Sequence, residues 1–435
     1  MEQLIKQVQP IMKLFKNIYV VGGTVRDTVL GKEPNDLDFA CRASVDEIES
    51  TLHDAGFKTW RLNKEPQTVG TKLGEKKVEI SSFTGSSIEA DLLHRDFTIN
   101  AMATRDGKII DPQGGLKDIS KQLIRCTKSP RDRIREDPLR MLRAIRFVSV
   151  LGFRLDEKTK TSIQMYAHSI LITHKERWLD ELTKLLVGDN VKPALELLFK
   201  TRLLGYLLPE VYPITMYQRN QTTITKDLWY HTKVVVNKSK PTPIVRWAAL
   251  LHDIAKPQTI ICNKDTHFLH HEYLGAEMAD VVLQRLKVGT TMKCAVRGII
   301  MFHQRVGDVV SRRNDPPVSV SALRRLTRDC DNNKCKVEDL VELFAADCSS
   351  GRKDVVERQQ AHSDLLRKAL KEMREEDLKP RLPKGIGDSL MKHFDLEPGP
   401  EVGRMKKRLD AMLVSGKIEK DMTHEQMFEL LIKEG

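Results

Sequence analysis

No apolar run in this 435-residue chain reaches the roughly 18–20 residues that a membrane-crossing helix requires, which excludes such a span. Cysteine is scarce and unpatterned: Cys41, Cys126, Cys262, Cys294, Cys330, Cys335 and Cys348 are odd in number, scattered and never spaced C-x-x-C. Neither a disulfide framework nor a zinc ribbon is expected, and a reducing cytoplasm fits. Internal repeats and low-complexity tracts are also missing. The opening MEQLIKQVQPIMKLF carries an acid and lacks a signal-peptide pattern; Leu4, Val8, Met12 and Phe15 fall on one side of an expected amphipathic helix.

What is present is charge. Lysine and arginine (72) outnumber aspartate and glutamate (60), a formal net charge of +12 that makes a polyanion partner plausible. The 40% hydrophobic content suits a soluble globular chain, and the length suggests two to four structural units.

Tyr19 to Ala40, YVVGGTVRDTVLGKEPNDLDFA, reads as strand, tight turn, helix and stop, followed by a second strand. Gly22 and Gly23 let backbone N–H groups approach an anion, the helix that follows favours negative charge, and Arg26 adds a cation to the same place. In Asp36-Leu37-Asp38-Phe39, strand alternation sends both carboxylates to one face. Two adjacent carboxylates call for a positive occupant, and Mg²⁺ shared with substrate phosphates suits nucleotidyl transfer. The alternative is a surface hairpin with solvated aspartates.

Ser44 with Glu47 three residues later forms a capping box for a helix ending at Gly56. Short β-rich runs follow at Lys58–Trp60 and Lys77–Phe83. Glu79, in the second, reads either as a further acid near the metals or as the outward residue of an edge strand. His94-Arg95-Asp96-Phe97-Thr98-Ile99-Asn100 reads either as a helix held by an Arg–Asp pair or as a polar face for ribose and triphosphate. From Ser129, PRDRIREDPLRMLRAIRF is strongly helical, with Asp137 and Arg140 on one face, continued by Arg143 and Arg146. A solvated, salt-bridged helix is one reading. In the other, the Asp137 carboxylate accepts from an exocyclic amine while Arg140 donates to the adjacent ring acceptor, admitting CTP and ATP and rejecting UTP and GTP.

Together, GGTVRD, DLD, HRDFTINAMA, the DPQGG turn and REDPLRMLRAIRF resemble the class II CCA-adding enzymes and bacterial poly(A) polymerases, over roughly residues 17–210. The resemblance implies an α+β fold, with a nucleotidyltransferase head of small mixed sheet and helices (1–127), an all-α neck that recognises the base (128–215), an HD-type helical body (216–350) and an RNA-binding tail (351–435). By the same similarity Asp36 and Asp38 carry the metals, two Mg²⁺ ions; Gly22, Gly23 and Arg26 belong to the nucleotide site; and Arg95 and Asp96 align with the Arg-Arg-Asp motif, Glu136, Asp137 and Arg140 with the Glu-Asp-x-x-Arg motif, while Asn100, Arg143 and Arg146, on the polar faces described above, are further nucleotide-binding candidates. The implied activity is addition of C and A from CTP and ATP to the 3′ end of tRNA. His94 replaces the first arginine of the family's Arg-Arg-Asp motif. Only TGSSIEADLL separates Phe83 from His94, and members lacking the longer flexible loop resemble CC-adding enzymes. A poly(A) polymerase, and an RNA-binding hydrolase with an inactive head, are the other readings.

Farther along, His231, His252-Asp253, His271, His303 and Asp347 resemble the HD phosphohydrolase pattern, whose imidazole and carboxylate groups suit a transition metal that activates water. His267 and His270 are weaker ligand candidates. The Lys- and Glu-rich stretch from about Gly351 is expected to be helical, either tracking an RNA backbone or forming a solvated helix pair.

Overall fold

The computed structural model describes residues 1–62, 67–217, 227–262, 266–310, 318–347, 353–378, 382–414, 417–418 and 422–433. Cys348 and the helix breaker Pro380 lie outside them. The N-terminal helix α1 (Glu2–Met12) buries Leu4, Val8, Ile11 and Met12, a face set by their three- and four-residue spacing. Phe15 is buried just beyond it.

The head is a seven-stranded mixed sheet: β1 (Ile18–Val21), β2 (Asp36–Cys41), β3 (Trp60–Leu62), β4 (Thr68–Leu73), β5 (Lys76–Ser82), β6 (Ala103–Thr104) and β7 (Ile109–Ile110), in the order β3-β4-β5-β2-β1-β6-β7. Helix α2 (Gly22–Val29) starts directly from β1. Within this sheet, as described, only β2 and β5 pair in parallel, so the chain crosses over between them, through α3 (Val45–Asp54) and the antiparallel pair β3–β4. The expected capping box of Ser44 and Glu47 is present at the start of α3. Along β2, Leu37 and Phe39 are buried while Asp36 and Asp38 take the alternate positions toward the other face. β5 is interior, and Glu79 lies in register with Asp38, so the edge-strand reading of Glu79 fails.

Two helical expectations are corrected. Helix α4 (Ile88–His94) ends before Arg95 and Asp96, which lie in extended backbone leading to a short 3₁₀ turn at Thr98–Asn100. After α5 (Gly115–Ser120), the run from Ser129 divides into α6 (Pro130–Glu136) and α7 (Leu139–Leu151). Asp137 precedes a proline, which disfavours helical backbone, and it adopts φ −144°, ψ 100°. Asp137 and Arg140 therefore do not share one helical face. Short strands β8 (Leu123–Ile124) and β9 (Arg154–Leu155) pair in parallel beside this neck.

Helices α8 (Glu157–Tyr166), α9 (Lys175–Leu186), α10 (Val191–Lys200), α11 (Leu203–Leu207) and α12 (Tyr212–Met216) follow, then α13 (Leu228–Lys238) and α14 (Pro243–Leu251). After a β10–β11 hairpin (Ile260–Cys262, Thr266–Phe268) come α15 (His271–Arg285), α16 (Thr290–Phe302), α17 (Val306–Val309), α18 (Val320–Asn332) and α19 (Val337–Asp347). Two compact units result, 1–306 with 326–359, and 307–325 with 360–435. Helix α20 (Lys353–Leu378) begins in the first and continues into the second, where α21 (Ile386–Phe394), α22 (Pro400–Val414) and α23 (His424–Lys433) follow. The last three enclose a core of Ile386, Leu390, Leu409, Met427, Phe428 and neighbours, more than a solvated helix pair would bury.

Candidate active site

The upper faces of β2 and β5, the β1–α2 junction, the chain after α4 and the helices α7 and α9 enclose a cavity of about 860 Å³. Asp36, Asp38, Glu79, Gly22, Gly23, Arg26, Arg95, Asp96, Asn100, Asp137, Arg140, Arg143 and Arg146 all line it, as does His94. Residues as far apart in the sequence as Gly22 and Arg146 thus meet at one surface.

Gly22 adopts φ +66°, and a Cβ there would come within 3.0 Å of the Arg95 guanidinium, so the position needs glycine. Thr24 joins helix to strand: its hydroxyl donates to the Asp36 carbonyl at 3.2 Å and accepts from the Asp38 amide at 2.8 Å. That places both acids, and no feature of the sequence singled it out.

The arginines are engaged with partners of their own. Arg26 donates to Asp27 at 2.8 and 2.9 Å and to Asn100 Oδ1 at 2.7 Å, and its guanidinium lies over Phe147. It is nearly buried, which makes it a brace of the site more than an open phosphate ligand. Arg95 pairs with Asp91, four residues back, and not with Asp96. Asp96 accepts from Arg143 Nε at 2.9 Å, from the Phe97 amide at 2.8 Å and from Asn100 Nδ2 at 3.0 Å. Burial alone would raise the pKa of Asp96, but Arg143 and these donors outweigh it and hold it at about 2. Arg143 and Arg146 both reach Glu181 on α9, at 3.6 and 3.1 Å. Burial pushes Glu181 above the usual carboxylate range despite the two arginines. A continuous relay, Arg26–Asn100–Asp96–Arg143–Glu181–Arg146, therefore runs from α2 to α7 and α9.

Asp137 and Arg140 are held apart. Asp137 accepts from the Leu139 amide at 3.1 Å and from Arg177 Nη2 at 2.8 Å. Arg140 donates to Glu136 at 2.7 Å, to the Arg133 carbonyl at 3.0 Å and to the His94 carbonyl at 3.3 Å. Arg177, absent from the sequence-based candidates, is signalled only by its place on the apolar-spaced helix α9.

Away from this cavity, His231 on α13, His252 and Asp253 after α14, His271 at the start of α15, His303 after α16 and Asp347 at the end of α19 converge. His231, His252 and Asp347 have ligating atoms within 4.8 Å of one another, and so do Asp253, His271 and His303. Burial opposes protonation of His252, yet Asp253 and Asp347 raise it to about 10, while burial takes His303 down to about 4. Asp253 is held well below the usual carboxylate range; burial opposes this and His252 and Lys256 outweigh it. The cluster stabilises positive charge within a buried nitrogen and oxygen donor set, the chemistry of a transition-metal site. The oxygen-only acids of β2 suit a hard cation. His270 is exposed and outside the cluster, and the side chain of His267 is not among those described.

Comparison with known proteins agrees with this arrangement. Residues 18–87 and 81–125 match the poly(A) polymerase head domain, 152–214 the probable RNA and SrmB-binding site of polymerase A, and 238–332 the HD domain. A CC-adding tRNA nucleotidyltransferase of Thermus thermophilus is 28% identical over 93% of this chain and 91% of its own length. An A-adding tRNA nucleotidyltransferase of Deinococcus radiodurans is 27% identical over 92% of both. The CCA-adding enzyme of Bacillus subtilis is 36% identical over 47% of the chain, which spans 55% of that relative. The Bacillus stearothermophilus CCA-adding enzyme, solved in complex with CTP, shares the fold with a TM-score of 0.59 at 23% identity, covering 100% of this chain and 98% of that one. Head, RNA-binding segment and HD domain occur here in one order on one chain, beside a cavity that gathers the head's acids and the neck's arginines; the chain belongs to the tRNA nucleotidyltransferase and poly(A) polymerase family.

Proposed function

We propose that this protein adds C and A residues, from CTP and ATP, to the 3′ end of tRNA without a nucleic acid template. The observation that carries the reading is the meeting of Asp36 and Asp38 with Asp137, Arg140 and Arg177 in one cavity. Asp36 and Asp38 would hold two Mg²⁺ ions, which supply activation of the 3′-hydroxyl and neutralisation of the triphosphate. The 3′-oxygen forms its bond to the α-phosphorus as the bond to pyrophosphate breaks. Gly22 and Gly23 let the triphosphate approach the backbone, with the Arg95 guanidinium beside it. Asp137 offers the acceptor and Arg140 the donor for an amine-bearing base edge, each oriented by its own partner, Arg177 and Glu136.

A second outcome, addition of CC alone, is favoured by one specific feature. Only Phe83–Ser87 separates β5 from α4, and this link is tied down by the Thr84 amide on Asp91 at 2.9 Å and by the Ser87 cap on Ala90. Little chain is left there to rearrange when CTP gives way to ATP. The HD cluster adds a metal-dependent phosphohydrolase site, with a transition metal held by His231, His252, Asp253, His271, His303 and Asp347. No described helix is long and apolar enough to cross a membrane, and Cys41, Cys126, Cys294, Cys330 and Cys335 are free thiols, which supports a cytoplasmic setting.

The test is to supply tRNAs ending at the discriminator base, at C and at CC with each nucleotide separately, then sequence the ends. CTP used on the first two and ATP on the third is the expected pattern; absence of the last step assigns CC addition. Long products from ATP alone would assign a poly(A) polymerase instead, and no incorporation at normal tRNA affinity would sink the proposal.

A further inference from the structure

The end of α18 sets two thiols side by side. Lys334 takes the left-handed backbone conformation, with φ +59°, and two hydrogen bonds close the turn around it. The Cys335 amide donates to the Cys330 carbonyl at 3.0 Å, and the Lys334 amide donates to the Asp331 carbonyl at 3.0 Å. This pattern ends a helix by folding the chain back, so that the residue after the left-handed one lies against the last helical turn, a contact that apolar side chains ordinarily make. Here both partners are cysteine. The Cys335 thiol donates to the Cys330 carbonyl at 3.4 Å and accepts from the Cys330 thiol. Cys330 and Cys335 are 0% and 3% exposed, yet Asp331, Asn332 and Lys334 between them are exposed, so the pair lies just beneath a surface turn and fraying of the helix end uncovers it. On its inner side α16 packs directly on the sulfur: a Cβ at Gly298 would come within 2.7 Å of Cys335 Sγ.

The contact makes this pair chemically unlike Cys41 and Cys126. Burial pushes those two thiols up to about 12, which keeps them protonated and unreactive. The hydrogen bond from Cys330 instead holds Cys335 below the ordinary thiol value, against the opposing effect of burial. The same bond, together with burial, raises Cys330. One sulfur is thus prepared as the nucleophile, and its neighbour stands ready to resolve what it forms.

We propose that Cys330 and Cys335 form an oxidisable dithiol, a site at which hydrogen peroxide makes a reversible intramolecular disulfide. The Cys335 thiolate attacks a peroxide oxygen and the O–O bond breaks; the sulfur becomes a sulfenic acid, and the departing hydroxide takes up the proton released from the thiol and leaves as water. The Cys330 sulfur then attacks the Cys335 sulfur, the S–O bond breaks, and the hydroxide leaves with the Cys330 proton as a second water. Two electrons pass from the sulfurs to one peroxide, and a dithiol reductant returns them. Closing the bond before a second peroxide arrives keeps Cys335 from the sulfinic acid, which thiols do not reduce. In a reducing compartment such a bond is transient and responsive, unlike a structural disulfide.

Trypsin cuts after Lys334, between the two cysteines, so the peptides Asp329–Lys334 and Cys335–Lys336 travel together only when a disulfide joins them. The full chain, reduced and freed of reductant, is exposed to hydrogen peroxide at neutral pH, with circular dichroism to verify folding. Remaining thiols are then alkylated in denaturant and the tryptic peptides weighed by mass spectrometry. The joined pair, about 2 Da lighter than its two thiol peptides together, is expected at least about tenfold sooner than oxidation of Cys41 or Cys126, and dithiothreitol should part it. C330S should remove the link and carry Cys335 on to the sulfinic acid, and C335S should leave Cys330 a thiol at the same exposure. No joined pair from the folded wild-type chain, or one that forms no sooner than Cys41 and Cys126 oxidise, overturns the site. A folded C330S chain whose Cys335 stays reduced overturns Cys335 as the attacking thiol.

Discussion

The head cavity and the HD cluster both gather acids and bases from distant parts of the chain, but they hold charge in opposite ways. In the head, Asp36 is exposed and Asp38 half-buried on an open face. An open face of that kind would let a hard cation keep part of its water shell, exchange with solvent and arrive with a nucleotide. In the cluster, His252, Asp253, His271 and His303 are all at most 5% exposed. Charge in that environment must be matched by an opposite charge in place, which favours a resident ion. The difference follows from the scaffolds: a strand surface leaves a whole face open for a substrate, whereas five helices closing on one point leave only the side of His231 and Asp347, whose side chains are 13% and 30% accessible.

The largest expected effect separates the two sites. D38N should lower kcat for CTP incorporation on the order of 10³-fold or more, with tRNA affinity within about twofold and the cluster's metal content unchanged. If metal content fell with activity, the sites would not be independent.

Asp96 is the head's exception, a buried acid with a depressed pKa. Its folded value, about 2, lies below the ordinary 3.8, so its stabilisation is complete above pH 3.8 and is lost as pH falls from there through about 2. D96N should cost about 2 kcal/mol in urea unfolding at neutral pH, and the gap from wild type should close toward pH 2. A gap that did not vary with pH would show that the charge is not what stabilises.

The smallest effect concerns the exposed pair of Arg177 and Asp137, with side chains 50% and 28% accessible. Such a pair contributes at most about 1 kcal/mol to folding. R177A should therefore leave the melting temperature almost unchanged while raising incorporation of UTP and GTP relative to CTP about tenfold, because Asp137 loses the partner that aims it. Unaltered discrimination, measured as ratios of kcat/KM, would remove Arg177 from base selection.

Much of this was readable from residue order. Alternation along Asp36-Leu37-Asp38-Phe39, the Ser44–Glu47 box and the amphipathic spacing in α1 are local rules, satisfied within one or two turns of chain, and they appear as expected. The HD ligands could be recognised because histidine beside aspartate after an apolar run is rare enough to be noticed. Partnerships were not readable. That Arg95 takes Asp91, that Asp96 takes Arg143, that Glu79 stands beside Asp38 and that Asp137 turns to Arg177 depend on which strands neighbour each other and where Pro138 breaks a helix. The sequence by itself determined which chemical groups the protein carries and, in unbroken elements such as α1 and β2, which face they occupy, because backbone periodicity is local. Only the tertiary structure decided which group meets which, because a charged side chain in a crowded site takes the partner whose distance and desolvation cost are lowest, and both are set by packing between elements far apart in the chain.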